Sequence, residues 1–356
     1  MKDLFVQQVG GKHVNTHKQE SLIQHHVNLS SYSTYEIGGK AKYLAAPETI
    51  EELKTVLEYA RQEKLTPFLF GMGSNILFPD EPKDQMLFIS LKELREMKID
   101  DKGWFVSAGI PMSHLALIGL SSGTSDYDFC FLLPGTLGAG IYMNAKYYNR
   151  QICDILDTAL YIDMNDPEFK VQSIHVDTCD YSYKNSIFMK NNWIIVGGYL
   201  KHPDYEALAK GMKEISRLEK IVEYKNPSQL PNFFKYYTTL AKTWAEENNG
   251  VVPESFDNVV KDRGSKFHFD YPSCGSVFKN NYDFGEPMGK VVDRLNMRGT
   301  VYGGASISAW HGNMIVNQGK AKAKDIIYLV EQVKHSVNEA FGFVPEEELI
   351  IVDSKS

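Results

Sequence analysis

Two glycine-rich segments constrain the fold of this chain more than any other feature of its sequence. The first, GMGSN, covers residues 71–75 and follows the short apolar run PFLF. The second, LLPGTLGAGIYMNA, covers residues 132–145. Glycine lets the backbone approach an anion closely, and successive N–H groups can then point at it. Each segment is therefore either an anion-binding loop or, more simply, a tight turn.

The glycines match neither of the common nucleotide-binding fingerprints. Ile76 occupies the position of the third glycine of the dinucleotide motif, which argues against a doubly wound nucleotide-binding sheet. Neither segment carries the lysine that follows the glycines of a P-loop. Two such loops in one chain nevertheless indicate an extended diphosphate ligand, such as a flavin dinucleotide.

The hydrophobic pattern predicts a mixture of helices and strands. In TIEELKTVLEYARQEK the apolar residues fall on one helical face, and Thr49 with Glu52 forms a capping-box signature. Short apolar runs between turns indicate a substantial sheet in residues 86–200, and residues 205–249 are predicted to be helical. One face of that helical region is predicted to be core: Phe233, Tyr237, Leu240 and Trp244. A last amphipathic helix is predicted to end at Gly342.

The composition excludes several functional classes. Of 356 residues, 43% are hydrophobic and 23% charged, and the net charge of −7 disfavours nucleic-acid binding. There is no signal-peptide core and no apolar stretch long enough to cross a bilayer, so we expect a cytoplasmic location without a membrane partner. The four cysteines are far apart and predict neither a zinc site nor a disulfide scaffold: Cys130, Cys153, Cys179 and Cys274. The spacing of four histidines near the amino terminus fits no familiar metal site: His13, His17, His25 and His26.

The segment YPSCGSVFKNN, residues 271–281, concentrates reactive side chains. Cys274 and Ser276 are the two candidates for chemistry. The simpler interpretation is structural, because Gly-Ser is typical of a turn and the following Val-Phe is typical of a short buried strand. No histidine base or metal partner is identifiable for Cys274, so it is expected to pack beside the turn.

Seven segments, in this order, resemble the UDP-N-acetylenolpyruvoylglucosamine reductases. They are STYEIGGKAKYLAAP, GMGSNILF, LLPGTLGAGIYMNA, YKNSIF, PSCGSVFKN, GGASISAWHGNMIVN and FGFVPEEELIIV. The similarity extends from about Ser33 to Val352. It implies an α+β architecture: a two-subdomain FAD-binding fold of the PCMH/VAO type, plus a smaller α+β substrate-binding domain.

The resemblance also implies domain boundaries. Residues 1–90 are expected to form an N-terminal arm and the first FAD-binding subdomain. Residues 91–265 and 343–356 are expected to form the second subdomain, with a helical insertion. Residues 266–342 are expected to form the substrate-binding domain, and the chain is expected to be a monomer.

The implied reaction belongs to peptidoglycan precursor synthesis. NADPH, the co-substrate, gives a hydride to FAD, and the flavin passes it to the enolpyruvyl double bond of a UDP-sugar. The resemblance assigns residues of both loops, and an asparagine after the second loop, to FAD: Gly71, Gly73, Ser74, Asn75, Pro134, Gly135, Thr136, Gly138 and Asn144.

The resemblance assigns catalytic roles to Ser276 and Glu348. Ser276 matches the serine that protonates the carbon next to the carboxylate, and Glu348 matches a glutamate that helps stabilise the enol-type intermediate. Five residues are carried over to the substrate: Arg263 and Lys266 as diphosphate contacts, with Asn280, Tyr148 and His311 lining its site.

Three departures from the family pattern affect the site. The family has an arginine in YRxS that presents a planar fork to the substrate carboxylate. This chain has Lys184 at that position, a third expected catalytic residue, which keeps the charge and loses the fork. The family's GAYG turn is replaced by residues 146–149, and Lys146 is a hypothetical substitute for the missing arginine. The interval before Ser276 is long, and three tyrosines within it are candidates to cap the substrate or, more simply, packing residues: Tyr224, Tyr236 and Tyr237.

These departures leave two other functions open. One is an FAD-dependent oxidoreductase of the same fold with a changed substrate or oxidase activity. The other is a non-catalytic protein that binds FAD or a UDP-sugar, against which the retained Ser276 and Glu348 argue.

Overall fold

Three sheets organise the computed structural model, which describes residues 21–223, 229–248 and 250–353. The expected amino-terminal arm, with His13 and His17, lies outside these ranges, as does Tyr224. Each of these three sheets belongs to one consecutive part of the chain, and two further pairs of two-residue strands join residues 146–147 to 150–151 and residues 76–77 to 350–351. The chain is therefore described as three units.

The first unit is a four-stranded sheet with one helix. Its elements are β1 (Ile23–Asn28), β2 (Lys40–Ala45), α1 (Ile50–Gln62), β3 (Thr66–Phe70), β4 (Ile76–Leu77) and β5 (Met86–Ser90). The strand order is β1-β2-β5-β3, with β5 parallel to both neighbours. The predicted N-cap is confirmed, since Thr49 Oγ1 accepts a hydrogen bond from Glu52 N at 3.1 Å. The reciprocal bond of a capping box is shifted by one residue, because the Glu52 carboxylate accepts from Glu48 N at 2.8 Å rather than from Thr49 N. The first glycine loop leaves the carboxyl end of β3.

The second unit is a five-stranded antiparallel sheet with helices on it. Its elements are β6 (Met97–Asp100), β7 (Gly103–Ser107), α2 (Met112–Ser122), α3 (Leu137–Met143), β8 (Lys146–Tyr147), β9 (Arg150–Gln151), α4 (Ile152–Ile155), β10 (Leu156–Asp163), β11 (Val171–His175), β12 (Trp193–Leu200), α5 (Tyr205–Glu219), α6 (Leu230–Glu247) and α7 (Glu254–Ser265). The strand order is β11-β10-β12-β7-β6. Helix α2 is buried from Met112 to Leu120 because α5 and α6 cover it.

The aromatic face predicted for the helical region is core. Phe233, Tyr237 and Leu240 of α6 are buried, and Trp244 is half-buried, with its indole N–H donating to Ser121 Oγ at 3.2 Å. Tyr236 is also buried, and its hydroxyl donates to Glu219 Oε1 at 3.2 Å. Tyr236 and Tyr237 are therefore packing residues, which was the simpler of the two interpretations, the other being that they cap the substrate.

The third unit is a small sheet flanked by two helices. Its elements are α8 (Met288–Arg294), β13 (Val301–Tyr302), β14 (Ala305–Ile307), β15 (Ile315–Asn317), α9 (Ala323–Phe341) and β16 (Ile350–Ile351). The predicted end of α9 is confirmed, because Gly342 has a left-handed φ of 76° and its N–H donates to Asn338 O at 2.9 Å.

The carboxyl-terminal strand lies elsewhere than predicted. Residues 343–356 are expected with the second unit, whereas β16 pairs in parallel with β4 of the first. Ile350 N donates to Asn75 O at 3.0 Å, and Val352 N donates to Leu77 O at 3.1 Å. A two-residue strand has no periodicity of its own, so its partner cannot be read from the local pattern.

Membrane-spanning helices and clusters of metal-binding side chains are both absent from the described ranges. None of their helices combines the length and the apolar character that crossing a bilayer requires. Within the same ranges, no group of three or more His, Cys, Asp or Glu side chains is arranged to hold a metal ion.

Phe233 tests the contribution of α6 to the core. Phe233→Ala removes a fully buried ring, and we expect it to lower the free energy of unfolding by about 3–5 kcal/mol, from lost apolar burial and the cavity left behind. Urea unfolding followed by circular dichroism measures the change. Lys235→Ala, at an exposed position of the same helix, is the control. A Phe233→Ala protein as stable as this control would contradict the core assignment.

Candidate active site

One cavity of about 920 Å³ lies where the three units meet. Its volume is near the top of the range of about 300–1,000 Å³ for small-molecule sites. Most of the predicted site residues line it: Gly71, Gly73, Ser74, Asn75, Pro134, Gly135, Thr136, Gly138, Tyr148, Lys184, Arg263, Lys266, Ser276, Asn280 and Glu348. Asn144 and His311 do not line it.

Two positions of the first glycine loop, Gly71 and Gly73, pack too closely on their neighbours to carry a side chain. A Cβ at Gly73 would lie 2.0 Å from Tyr32 O, and φ there is +66°. A Cβ at Gly71 would lie 2.4 Å from Thr136 Oγ1 of the second loop. Both positions therefore require glycine, for space and, at Gly73, also for conformation.

The second glycine loop is anchored against the first unit and the second sheet. Ser74 Oγ donates to Pro134 O at 3.0 Å, which joins the two loops. Gly135 has a φ of +137°, and its carbonyl accepts a hydrogen bond from Met112 N at 3.0 Å. A Cβ at Gly138 would lie 2.7 Å from the Ala108 side chain. Together the loops form a backbone cradle on one wall of the cavity.

Asn144 positions the second loop rather than facing the cavity. It is buried in the left-handed conformation at the end of α3. Its amide donates to Gln151 Oε1 at 3.1 Å and to Ser182 O at 3.2 Å, and its side-chain oxygen accepts from Cys153 N at 3.2 Å. These bonds connect α3 to the segment that carries Lys184.

A backbone pairing brings the serine segment against the carboxyl terminus. Val277 O accepts hydrogen bonds from Glu348 N at 2.8 Å and Leu349 N at 3.1 Å. Lys279 N donates to Glu346 O at 2.9 Å. Ser276 immediately precedes this pairing, so Ser276 and Glu348 line the same cavity.

Lys184 and Glu348 form an ion pair in the cavity wall. The Lys184 ammonium contacts Glu348 Oε1, and the two side chains are only 15% and 12% exposed. The backbone carbonyl of Glu348 accepts a hydrogen bond from Asn75 Nδ2 at 2.8 Å. The first glycine loop, the lysine that replaces the family arginine and the carboxyl-terminal glutamate therefore meet at one point.

Tyr183 and Asn313 support this region and were not predicted from the sequence. Tyr183 Oη accepts a hydrogen bond from Asn280 N at 3.3 Å. Burial raises the pKa of Tyr183 to about 12, the bond from Asn280 lowers it, and the charge of Glu348 raises it. The buried Asn313 amide exchanges hydrogen bonds with the backbone of Phe278 at 2.9 and 2.8 Å. The only sequence feature that could have pointed to a structural role for Asn313 is its position directly before the apolar run MIV, residues 314–316.

Arg263 is a buried cation with unused hydrogen-bonding capacity. It is 9% exposed, and its Nε has no hydrogen-bond partner among the residues that the structure describes. Its guanidinium lies 4.8 Å from the centre of the Tyr147 ring, and burial lowers its pKa. Lys266 Nζ instead donates to Asp262 Oδ1 at 2.6 Å, and Tyr147 Oη donates to Asp262 Oδ2 at 3.0 Å. An anion entering the cavity would complete the coordination of Arg263.

Of the remaining substrate candidates, His311 is half-buried, whereas Tyr148 and Lys146 are exposed. His311 Nδ1 accepts a hydrogen bond from Asn313 N at 3.2 Å, and its ring lies 5.4 Å from that of His268. Tyr148 is 68% exposed and has a positive φ of 50° in the turn where the family has glycines. Lys146 is exposed at the cavity, and no ion pair is found for it within the described ranges.

Cys274 is a packing residue, and its partners belong to the first unit rather than to the Gly-Ser turn beside which it was expected to pack. It is buried, with its Sγ 3.5 Å from Thr34 Oγ1 and 3.3 Å from Ile76 O. Burial raises the pKa of the Cys274 thiol to about 12, while the hydrogen bond with Thr34 lowers it. The thiol is therefore protonated at neutral pH, and a nucleophilic role is disfavoured.

Comparisons with known proteins agree with this geometry. The FAD binding domain model matches residues 41–172, and the model of the C-terminal domain of UDP-N-acetylenolpyruvoylglucosamine reductase matches residues 267–352. Proteins named UDP-N-acetylenolpyruvoylglucosamine reductase from Borrelia garinii subsp. bavariensis and Treponema denticola are 30% and 32% identical to the chain. The alignments cover 92% and 93% of this chain and 93% and 94% of those proteins.

A solved structure shares the fold. The crystal structure of UDP-N-acetylenolpyruvylglucosamine reductase from Thermus caldophilus is 23% identical, with a TM-score of 0.62 over 93% of this chain and 99% of that one. Together with the match to the FAD binding domain, it confirms the predicted α+β FAD-binding fold. The chain belongs to the UDP-N-acetylenolpyruvoylglucosamine reductase family.

Proposed function

We propose that this chain reduces the enolpyruvyl group of UDP-N-acetylenolpyruvoylglucosamine to give UDP-N-acetylmuramate, with FAD as its prosthetic group and NADPH as the reductant. The reaction belongs to peptidoglycan precursor synthesis. The observation that carries the proposal is the backbone pairing of residues 277–279 with residues 346–349, because it holds Ser276 and Glu348 at one cavity. Relatives that bear the name of this reductase align over nearly the whole chain.

The two glycine loops suit an FAD diphosphate. Their backbone lies bare at the cavity because Thr136 and Tyr32 leave no room for a Cβ at Gly71 and Gly73. When bound, the flavin transfers hydride from NADPH to the methylene carbon of the substrate. We assign the cavity-lining residues of both loops to this group: Gly71, Gly73, Ser74, Asn75, Pro134, Gly135, Thr136 and Gly138. Asn144 is assigned a positioning role.

Ser276 is the proposed proton donor. Its Oγ proton goes to the substrate carbon next to the carboxylate, which saturates the double bond and leaves a serine alkoxide. A serine hydroxyl is a weak acid, so the step requires positive charge close to the developing anion. Lys184 lines the same cavity and is the residue that we assign as the source of that charge.

Lys184 and Glu348 are proposed to act on the substrate as a pair. An ammonium group has three N–H donors, and the contact with Glu348 uses one of them. The others are available for the substrate carboxylate, although without the bidentate geometry of arginine. Lys146 is a second candidate for this contact. Glu348 is proposed to stabilise the enol-type intermediate.

Arg263 and Lys266 are proposed to bind the diphosphate of the UDP-sugar or of NADPH. The Nε of Arg263 is buried and without a partner, and a diphosphate oxygen is the acceptor that suits a guanidinium. Asn280 is also assigned to the substrate, since its side-chain oxygen accepts from Met288 N at 3.0 Å and its amide group remains available. Tyr148, at the rim, and His311, behind the wall, complete the proposed set.

Gly71→Ala tests the FAD cradle. The new Cβ would lie 2.4 Å from Thr136 Oγ1, so we expect the two loops to separate and the purified protein to lose most of its FAD, measured as the 450 nm to 280 nm absorbance ratio. Gly264→Ala is the control, because a Cβ there meets nothing within 4 Å. Equal FAD content in both variants would contradict the assignment of the loops.

Ser276→Ala tests the proton donor. We expect the substrate-dependent rate of NADPH oxidation to fall by about 10²–10⁴-fold, the usual contribution of general acid catalysis, while reduction of FAD by NADPH keeps its rate. Stopped-flow absorbance separates the two half-reactions. Ser276→Cys, which retains a transferable proton, is expected to recover part of the rate. Full activity in Ser276→Ala would exclude this role, and equal losses in both half-reactions would indicate a structural defect.

Lys184→Met tests the contact with the substrate carboxylate. We expect the KM of the enolpyruvyl substrate to rise by about 10- to 100-fold, the usual value of a charge-assisted hydrogen bond. Lys184→Arg, which keeps the charge, is the control and is expected to retain most of the affinity. Lys146→Met is measured in parallel. A larger effect at Lys146 than at Lys184 would transfer the carboxylate contact to Lys146.

A further inference from the structure

Three exposed aromatic rings form a stack beside residues that line the cavity, although none of the three lines it. The rings of Phe267 and Trp310 lie 4.3 Å apart between centroids at an interplanar angle of 30°, and those of Tyr271 and Trp310 lie 5.7 Å apart at 20°. The three residues are 38%, 40% and 36% exposed. We call Phe267, Tyr271 and Trp310 the aromatic stack. Large stacked rings left open to solvent are typical of a binding surface.

The backbone at Phe267 is held in an unfavourable conformation. Helix α7 ends in a double-bonded turn, in which Phe267 N donates to Gly264 O at 3.0 Å and His268 N donates to Arg263 O at 3.1 Å. In such a turn the residue at the Phe267 position is left-handed and is usually glycine. Phe267 has a φ of +53° there. A bulky residue is uncommon at positive φ, and strained backbone concentrates at ligand-binding sites.

The stack adjoins the cationic side of the cavity. Phe267 lies between Lys266 and His268, which both line the cavity, and Trp310 precedes His311, whose ring contacts His268. Burial lowers the pKa of His268 to about 2, so it is neutral and adds no charge. The exposed ring of Phe267 therefore lies next in the chain to the charged Lys266, and the buried guanidinium of Arg263 belongs to the residue three positions before Lys266.

We propose that the aromatic stack binds the planar base of a nucleotide whose diphosphate contacts Arg263 and Lys266. This inference rests on the proposed function, which requires two nucleotides at this cavity, a UDP-sugar and NADPH. Aromatic side chains bind bases by stacking on their π-faces, independently of the base's hydrogen-bonding pattern. Both candidate ligands therefore present the same chemistry, a heteroaromatic base joined through ribose to a diphosphate. The base is uracil in the UDP-sugar, and it is one of the two bases of the dinucleotide in NADPH.

A second aromatic pair on the same unit provides a matched control. Tyr302 and Tyr328 stack with their centroids 3.6 Å apart, and each is 42% exposed. Neither residue lines the cavity or adjoins in sequence a residue that does, whereas Phe267 lies between two cavity-lining residues, Lys266 and His268. Tyr328→Ala thus removes a stacked ring that is as exposed as that of Trp310 but has no proposed diphosphate contact beside it.

Ligand binding to the FAD-loaded protein tests the proposal. Isothermal titration calorimetry measures the Kd of UDP, of NADP⁺ and of inorganic diphosphate for the unmodified protein, Trp310→Ala, Trp310→Phe and Tyr328→Ala. We expect Trp310→Ala to raise the Kd of UDP, of NADP⁺ or of both by about fivefold to a hundredfold, the usual contribution of one base–aromatic stack. The Kd of diphosphate is expected to stay unchanged, because that ion has no base.

The two nucleotides identify the base. A loss confined to UDP assigns the stack to uracil, and a loss confined to NADP⁺ assigns it to a base of the dinucleotide. Trp310→Phe, which keeps an aromatic ring, is expected to retain most of the affinity, and Tyr328→Ala all of it. Unchanged Kd values for both nucleotides in Trp310→Ala would overturn the proposal. An equal loss of diphosphate affinity would also overturn it, because stacking would not be the cause.

Turnover of the unmodified protein keeps this test separate from the proposed function. If the unmodified protein oxidises NADPH in response to the enolpyruvyl UDP-sugar, while Trp310→Ala binds nucleotides normally, only the aromatic stack has been misassigned. If the unmodified protein does not respond to that substrate, the proposed function itself fails, whatever the Kd values of the variant.

Discussion

The carboxyl-terminal segment, residues 346–352, is the element on which the site depends. On one edge it exchanges backbone hydrogen bonds with residues 277–279, and on the other Ile350 and Val352 donate to residues 75–77. The first edge belongs to the third unit and the second to the first unit. Glu348 lies between these edges and contacts Lys184 of the second unit. Because backbone hydrogen bonds hold both edges, the glycine loop and the serine segment keep a defined relation across the cavity.

The electrostatics of the cavity separate two tasks. Lys184 and Glu348 neutralise each other in a wall that excludes most water, which suits an ammonium that shares its donors with a bound carboxylate. Arg263 is different, because its Nε is buried and lacks a partner. A buried cation with an open donor is costly unless an anion approaches it. The charge of Lys184 is therefore neutralised by Glu348, whereas the Nε donor of Arg263 is left for a bound anion.

Local spacing predicted the elements whose signal lies within a few residues. The cap of α1, the end of α9 at Gly342 and the buried face of α6 follow from helical periodicity and from the conformations that glycine permits. Asn144 was less predictable, since its amide could have met either a ligand or the backbone. Its partners, such as Ser182 O, depend on how distant segments pack. Tyr183 and Asn313 gave no strong local signal for the same reason.

The sequence by itself determined the amphipathic helices α1, α6 and α9, the two glycine loops and, through the order of its motifs, the family, and it singled out Ser276 and Glu348 as the proposed catalytic residues. Only the tertiary structure decided that Lys184 reaches Glu348, that the last strand pairs with β4 and that the Nε of Arg263 is left without a partner. Hydrophobic periodicity and backbone conformation depend on residues that are close in the sequence, so the sequence pattern predicts them. Ion pairs, strand partners and burial join residues far apart in the chain, and folding alone brings these together.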